Sequence, residues 1–294
     1  MRFSQIVVLY NALIGYLIKF LIDIKLVRPY KRKDKRKDDL IVSLTSYGRR
    51  VEGVVYYTLI SLLRQTQRPG KIILWLDKTR WNGNNIPNKI KNLYPYGVEV
   101  KYCEDIRSYK KLLYSILEYG RKTIITVDDD VIYKPNLIKK LVEAHFLHPR
   151  DIISGDARYP VAEKDKFLSY KYWINHGNYT EKKKYIMPVG ESGVLYPPQS
   201  LYKDVTNYQL AKQLSPLADD LWFWVMSKLQ GTDHIVIGKN KTAGYSFDAI
   251  YQFFHKGSAL THTNNGENQN DVQLQAIMDY YGIQPEALRE TSSS

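Results

Sequence analysis

Residues 124–131 (IITVDDDV) join a short, largely apolar run to three consecutive aspartates. An apolar run of this length is typical of a strand buried on both faces of a parallel sheet. Adjacent carboxylates repel one another and resist burial unless a cation compensates them. The sequence therefore predicts a buried strand that ends in an acidic tip formed by Asp128, Asp129 and Asp130.

Strand and helix patterns alternate on both sides of this run. Apolar strand candidates lie at residues 40–44, 71–76, 98–102 and 122–127. Helical patterns lie at residues 54–63, 109–119, 137–145, 217–229 and 273–281. This alternation predicts an α/β fold with a mainly parallel sheet flanked by helices. Polar residues follow the first, second and fourth strands, so residues 45–50, Asp77 and the acidic tip are expected at one edge of the sheet, where such folds bind ligands.

The composition indicates a globular chain in two parts. Its 294 residues suit one large domain with an appendage, and the single cysteine, Cys103, excludes an intrachain disulfide. We expect a membrane-associated helix and polybasic linker at residues 1–39, and a catalytic domain at residues 40–294.

The first segment suggests contact with a membrane. Residues 6–27 are mostly apolar, and Asn11, Gly15, Lys19 and Asp23 recur every four residues as one polar stripe. Residues 28–37 then carry seven basic side chains against one acid, within a net charge of +13. This order favours a helix lying on the cytoplasmic face of an anionic membrane over a nucleic-acid partner. A membrane-spanning helix and an ordinary helix packed on the domain remain alternatives.

Three carboxylates at a strand tip also suit a hard divalent cation. Mg²⁺ and Mn²⁺ commonly bridge one or two carboxylates to the phosphates of a substrate. The alternative is a solvated loop or a helix cap, because aspartate caps helices well.

Two segments resemble family 2-like GT-A glycosyltransferases, of the bacterial surface-polysaccharide type. Residues 59–69 (LISLLRQTQRP) run into residues 71–77 (KIILWLD) as a helix end runs into the second strand of those enzymes, and the aspartate triplet resembles their Asp-x-Asp motif. The resemblance implies a metal bound by Asp130 and Asp128, with Asp128 and Asp129 beside the sugar nucleotide. It also implies a nucleotide pocket lined by Thr45, Tyr47, Arg49 and Asp77.

A second acidic pair, Asp219 and Asp220, opens a predicted helix. It resembles the family's pair below the acceptor site, which implies that Asp220 is the catalytic base and that Asp219 lies near the acceptor. Capping of the helix is the alternative. Glu191, in a segment between two glycines, is a candidate for acceptor binding or a plain turn residue.

Two further residues complete the predicted site. Lys110, in a lysine pair before the triplet, is a candidate for the pyrophosphate or a solvated helix residue. His262 is a candidate third metal ligand or a structural histidine.

The sequence thus predicts a metal-dependent, inverting hexosyl- or N-acetylhexosaminyltransferase. It would transfer one sugar from a nucleotide diphosphate donor, such as a UDP-sugar, to a glycan or glycolipid acceptor, for example in lipopolysaccharide or capsule assembly. No Gln-x-x-Arg-Trp motif follows the second acidic pair, which disfavours a processive synthase. The alternatives are a metal-dependent nucleotidyltransferase and a non-enzymatic membrane-binding module.

Overall fold

The computed structural model describes residues 3–29, 37–175, 184–238, 244–246 and 268–291. Its centre is a seven-stranded sheet. The seven strands are β1 (Lys37–Thr45), β2 (Pro69–Asp77), β3 (Val98–Cys103), β4 (Thr123–Thr126), β6 (Ile152–Ser154), β12 (Val194–Tyr196) and β13 (His234–Val236).

The strands of this sheet lie in the order β13-β6-β12-β4-β1-β2-β3. β1 pairs in parallel with β2 and β4, β2 with β3, and β6 with β13. Only β12 among these strands runs against both of its neighbours. The prediction of an α/β fold with a mainly parallel sheet flanked by helices is confirmed.

Within the described ranges, seven shorter strands lie outside the central sheet. β7 (Ala157–Tyr159) pairs antiparallel with β10 (Ile174–Asn175) and β11 (Met187–Pro188). The other four form two pairs: β5 (Val131–Tyr133) with β14 (Gly244–Ser246), and β8 (Ala162–Glu163) with β9 (Lys166–Phe167).

The described helices are α1 (Phe3–Asp23), α2 (Arg49–Glu52), α3 (Val55–Leu63), α4 (Asn88–Lys91), α5 (Lys110–Tyr119), α6 (Leu137–Leu147), α7 (Tyr208–Leu214), α8 (Asp219–Leu229) and α9 (Gln269–Tyr281). Six of them agree with predicted helices to within four residues at their ends, whereas the short helices α2, α4 and α7 were not predicted.

Helices cover both faces of the sheet, which explains the continuous apolar strands. Successive side chains of a strand point to opposite faces. Val42 and Leu44 of β1 therefore pack in the cluster that contains α3 and α6, whereas Ile41 packs beside Tyr114 of α5. All three β1 side chains are fully buried.

The first helix, α1, packs on the domain through one side. Ile22 is buried in the same cluster as α3, and the Tyr57 hydroxyl donates to Asp23 over 2.6 Å. No helix in the described part of the chain is both long and apolar enough to cross a membrane. Association of α1 with a membrane stays a prediction.

The far end of α8 is tied to residues close to the end of the described chain. Lys228 donates to Asp233 over 2.7 Å and to Glu290 over 3.1 Å. The other Glu290 oxygen lies 2.9 Å from Nδ1 of His234, and Thr291 donates to Asp233. These side chains are almost wholly buried, so the ion pairs hold the last described residues firmly on the end of α8.

Candidate active site

The predicted acidic tip lies where it was expected, directly after β4. The neighbouring strand β1 ends at Thr45, and β2, on its other side, ends at Asp77. All three strands run in the same direction, so the polar residues that follow them occupy one edge of the sheet.

The three aspartates of the tip have different environments. Asp129 is buried: it accepts hydrogen bonds from the Ser46 hydroxyl at 2.5 Å and from Arg50 Nη1 at 2.8 Å. Burial raises the pKa of Asp129, while Arg50 and Ser46 oppose that shift. Asp130 also accepts from Arg50, at 3.0 Å, and Asp128 accepts from Lys111. Asp129 therefore holds the tip to the loop after β1, whereas Asp128, at 34% exposure, is the most accessible of the three.

The conspicuous motif at residues 59–69 has a direct structural purpose. The Ser61 hydroxyl accepts from the Tyr133 N–H at 3.0 Å, and the Gln65 amide donates to the Lys134 carbonyl at 2.8 Å. Gln65 also accepts from Ile138 N–H, and Thr66 N–H donates to the Pro135 carbonyl. The end of α3 thus satisfies the backbone of the segment that follows the acidic tip and fixes its course.

Lys111 links the two acidic clusters. Its Nζ lies 2.8 Å from Asp128 Oδ1 and 3.4 Å from Asp219 Oδ2. Burial alone would lower the pKa of Lys111, but the charges of Asp128, Asp219 and Asp220 hold it well above its usual value. The lysine is therefore a fixed cation, held in place because its backbone carbonyl accepts from the Ser43 hydroxyl of β1. It brings the tip of β4 and the start of α8 to one point.

Asp220 has the most perturbed carboxylate of this centre. Burial and the neighbouring charge of Asp219 raise its pKa to about 7, although Lys111 acts in the opposite direction. Its Oδ2 accepts from the Gly190 N–H at 3.1 Å, and its side chain remains partly exposed. A carboxylate with a pKa near neutrality and a fixed orientation has the properties of a general base.

The turn at Gly190 is packed closely against this centre. A Cβ atom at position 190 would lie 2.8 Å from Asp220 Oδ1 and 2.9 Å from Lys111 Nζ. The next residue of the turn is held by Tyr133, whose hydroxyl donates to the Glu191 carbonyl and accepts from the Asp128 N–H. A larger residue at position 190 would therefore displace the Asp220 carboxylate and the Lys111 amine from their present positions.

The donor set fits a metal that arrives together with phosphate. No group of three His, Cys, Asp or Glu side chains suited to a metal occurs in the described ranges. Mg²⁺ and Mn²⁺ need only one or two protein carboxylates when phosphate oxygens complete the coordination. Asp128 and Asp130, two residues apart in the chain, would provide these oxygens, and each accepts a hydrogen bond from a cation, Lys111 or Arg50. His262, the predicted third ligand, lies outside the described residues.

The residues predicted for the nucleotide pocket lie at the same edge of the sheet but differ in exposure and in hydrogen-bond partners. Thr45 is partly buried and donates to the Trp75 carbonyl at 2.9 Å. Asp77 accepts from the backbone and hydroxyl of Thr79, so its carboxylate closes the turn after β2. Tyr47 is exposed, with the Arg50 guanidinium 5.2 Å from its ring centre.

The other predicted residues lie at varying distances from the acid centre. Asp219 belongs to it through Lys111. Glu191 is exposed beside it, in the Gly190 turn. Lys110 instead forms an ion pair with Asp105, and Arg49 is exposed. The chain therefore directs Arg50 and Lys111, rather than their neighbours, to the acids.

Arg50, Lys111, Ser46 and Tyr133 are site residues that the sequence did not single out. The two basic residues directly follow Arg49 and Lys110, which the sequence did predict, so basic residues were expected at both places in the chain. Tyr133 lies three residues beyond the triplet in an apolar strand and looks like a core residue until its hydroxyl is located.

No protein-family model and no curated protein sequence matches the chain. Several solved structures are similar in fold. One is a CMP:2-keto-3-deoxy-manno-octonic acid synthetase complexed with CTP, with a TM-score of 0.43 and 12% identity over 73% of this chain and 96% of the other. A 4-diphosphocytidyl-2C-methyl-D-erythritol synthase has a TM-score of 0.43 and 11% identity over 75% and 99% of the two chains. A cytidylyltransferase from Leptospira borgpetersenii serovar Hardjo-bovis has a TM-score of 0.41 and 9% identity over 88% and 99%. Similarity at this level carries no argument about function.

Proposed function

We propose that this chain is a metal-dependent glycosyltransferase that moves one sugar from a nucleotide diphosphate donor to a hydroxyl of a glycan or glycolipid. The observation that carries the proposal is that both acidic clusters contact Lys111 at the edge of the sheet. In the second cluster, the pKa of Asp220 is raised to about 7. Glycosyl transfer needs both a cation-binding acid group for the leaving diphosphate and a separate base for the acceptor.

Asp220 acts as the base in this proposal. Its carboxylate takes the proton of the acceptor hydroxyl while that oxygen forms a bond to the anomeric carbon. The bond between this carbon and the diphosphate oxygen breaks, and its electron pair leaves with the nucleoside diphosphate. Attack from the face opposite the leaving group inverts the anomeric centre.

The remaining residues position these groups. The Gly190 N–H orients the Asp220 carboxylate, and Lys111 limits the repulsion among the acids so that they can lie close together. Asp128 and Asp130 would hold the divalent cation. When bound, that cation supplies Lewis-acid stabilisation of the charge that develops on the leaving diphosphate. Asp129 stays bound to Ser46 and Arg50 and is structural.

The alternative, nucleotidyl transfer, has one observation of its own. The loop after β1 contains Gly48, in a left-handed backbone conformation, followed by Arg49 and Arg50. A glycine and basic side chains after the first strand suit the phosphates of a nucleoside triphosphate. Arg50, however, is occupied by Asp129 and Asp130, and two acidic clusters are more than nucleotidyl transfer needs.

One assay separates the two reactions. The full chain is incubated with Mn²⁺ and a panel of nucleotide sugars, UDP-sugars first, together with candidate saccharide and glycolipid acceptors. Release of nucleoside diphosphate is measured with and without EDTA. In parallel, the chain is incubated with nucleoside triphosphates and sugar phosphates, and release of pyrophosphate is measured.

We expect EDTA-sensitive release of nucleoside diphosphate that Asp220→Asn abolishes. The matched control Asp279→Asn, on the exposed side of α9, should retain activity. Pyrophosphate release without nucleoside diphosphate release would replace the proposal with nucleotidyl transfer. Neither product, together with no calorimetric binding of any nucleotide or nucleotide sugar, would favour the non-enzymatic module.

A further inference from the structure

The helix α1 has two long faces with opposite surroundings. On the inner face, Ile22 is buried and Ile18 packs on the same core cluster. Gly15 lies so close to the domain that a Cβ atom there would stand 3.5 Å from Cβ of Tyr245. These contacts fix which side of the helix faces the domain.

Polar contacts at the end of α1 lock this orientation. Asp23 accepts from the Tyr57 hydroxyl at 2.6 Å and from Lys19 Nζ at 3.2 Å. Lys19 also lies 5.0 Å from the centre of the Tyr57 ring. Lys19 and Asp23 of the predicted polar stripe, together with Gly15, therefore lie against the domain.

The opposite face of α1 is apolar and exposed. Its members recur at spacings of three and four residues, which places them on one side of a helix. We call them the outer stripe: Tyr10, Leu13, Leu17 and Phe20, which are 63%, 68%, 57% and 58% exposed. Ile24 and Leu26, just beyond the helix, are also exposed. Large apolar side chains that are exposed together mark an interaction surface rather than ordinary surface composition.

We propose that the outer stripe inserts into the surface of an anionic phospholipid bilayer, with α1 lying in the membrane plane and the domain held behind it. An in-plane helix that is rigidly attached to a domain needs two faces: one that packs on the domain and an apolar one that enters the membrane. The helix α1 has both. This inference does not depend on which transfer reaction the site performs.

Charge identifies the occupant as a lipid surface. Lys25 and Arg28, which follow the helix, are exposed. In sequence, residues 28–37 carry seven basic side chains and one acid. A second copy of this chain would bring an equal positive charge to the interface and be repelled, whereas anionic headgroups attract it.

The test is flotation of the full chain with phospholipid vesicles, either neutral phosphatidylcholine or phosphatidylcholine with phosphatidylserine. A triple variant removes apolar side chains from the outer stripe: Leu13→Gln, Leu17→Gln and Phe20→Gln. A matched triple variant removes exposed apolar side chains of the same kinds elsewhere: Leu117→Gln, Phe146→Gln and Leu147→Gln. Circular dichroism and thermal melting check that both variants fold as the wild type does.

We expect the wild type and the matched variant to float with anionic vesicles, with binding to neutral vesicles at least about tenfold weaker. The outer-stripe variant should bind about 100-fold less, because three large apolar side chains no longer enter the bilayer. Equal binding by the two triple variants would overturn the proposal. So would a wild type that binds neither vesicle, or one that forms dimers in sedimentation which the outer-stripe variant alone abolishes.

Discussion

Replacing Lys111 with methionine isolates the contribution of the cation that joins the two acidic clusters. Methionine keeps most of the length of the side chain and removes its charge. Asp128 and Asp219 then lose their shared partner in a largely buried position. Breaking a buried ion pair by removing one member costs about 3–5 kcal/mol. For a domain of this size, that corresponds to a fall in Tm of at least about 6 °C at pH 8.

The pH dependence of this loss has a definite sign. The pKa of Asp220 is already raised from 3.8 to about 7, so the folded chain keeps a proton that the unfolded chain releases between these values. Without Lys111 the carboxylates bind protons still more strongly in the folded state. The destabilisation should therefore be greatest above pH 7 and shrink as the pH falls to 5, because bound protons then neutralise the carboxylates in place of the lysine.

The neighbouring lysine provides the matched control. Lys110 also has a buried side chain, but its partner, Asp105, is 53% exposed. Lys110→Met should cost about 1 kcal/mol or less, with little dependence on pH in this range. Melting of both variants is followed by circular dichroism at pH 5 and pH 8. If Lys111→Met melts within about 1 °C of Lys110→Met at pH 8, the acid centre described here does not depend on Lys111.

Three further changes test other parts of the molecule. Asp220→Asn should lower kcat at least about 100-fold without changing donor affinity measured by calorimetry. In the wild type, kcat should rise with pH and level off above about 7, because Asp220 loses its proton there. A kcat that does not change with pH would contradict the role of Asp220 as the base. Gly190→Ala places a methyl group 2.8 Å from the Asp220 carboxylate and should lower kcat, whereas Gly83→Ala, with no atom within 4 Å, should leave it unchanged in the same assay. Tyr57→Phe removes the hydrogen bond to Asp23. Amide hydrogen exchange in α1 should become about fivefold faster, which is equivalent to about 1 kcal/mol. Unchanged exchange would show that packing alone holds the helix.

The sheet could be predicted because its strands are short apolar runs covered on both faces. Four such runs were found, three of them followed by the predicted polar residues, and the parallel direction of β1, β2 and β4 then placed those residues at one edge. The antiparallel strand β12 was not predicted. It has three residues and no turn that links it directly to a neighbour, so neither its direction nor its place between β4 and β6 is visible in the sequence.

The choice between adjacent residues could not be made from the sequence. Successive residues of a helix point about 100° apart, so Lys110 and Lys111 face different surroundings. Which of them reaches the acids depends on how α5 is rotated against the sheet, and the hydrogen bond from Ser43 to the Lys111 carbonyl contributes to that rotation. The same holds for Arg49 and Arg50, where the short helix α2 after Gly48 decides which side chain turns inward.

The ion pairs between Lys228, His234 and Glu290 have a consequence for the order of events during translation. Glu290 follows every residue of the acid centre in the chain, yet it neutralises a lysine on α8, the helix whose first residues are Asp219 and Asp220. A nascent chain that stops before residue 290 has its whole acid centre but leaves the buried Lys228 without one of its two carboxylates. Loss of Glu290 breaks a buried ion pair and should loosen the end of α8, so a chain that lacks residues 290–294 should be cut by proteases faster than the full chain.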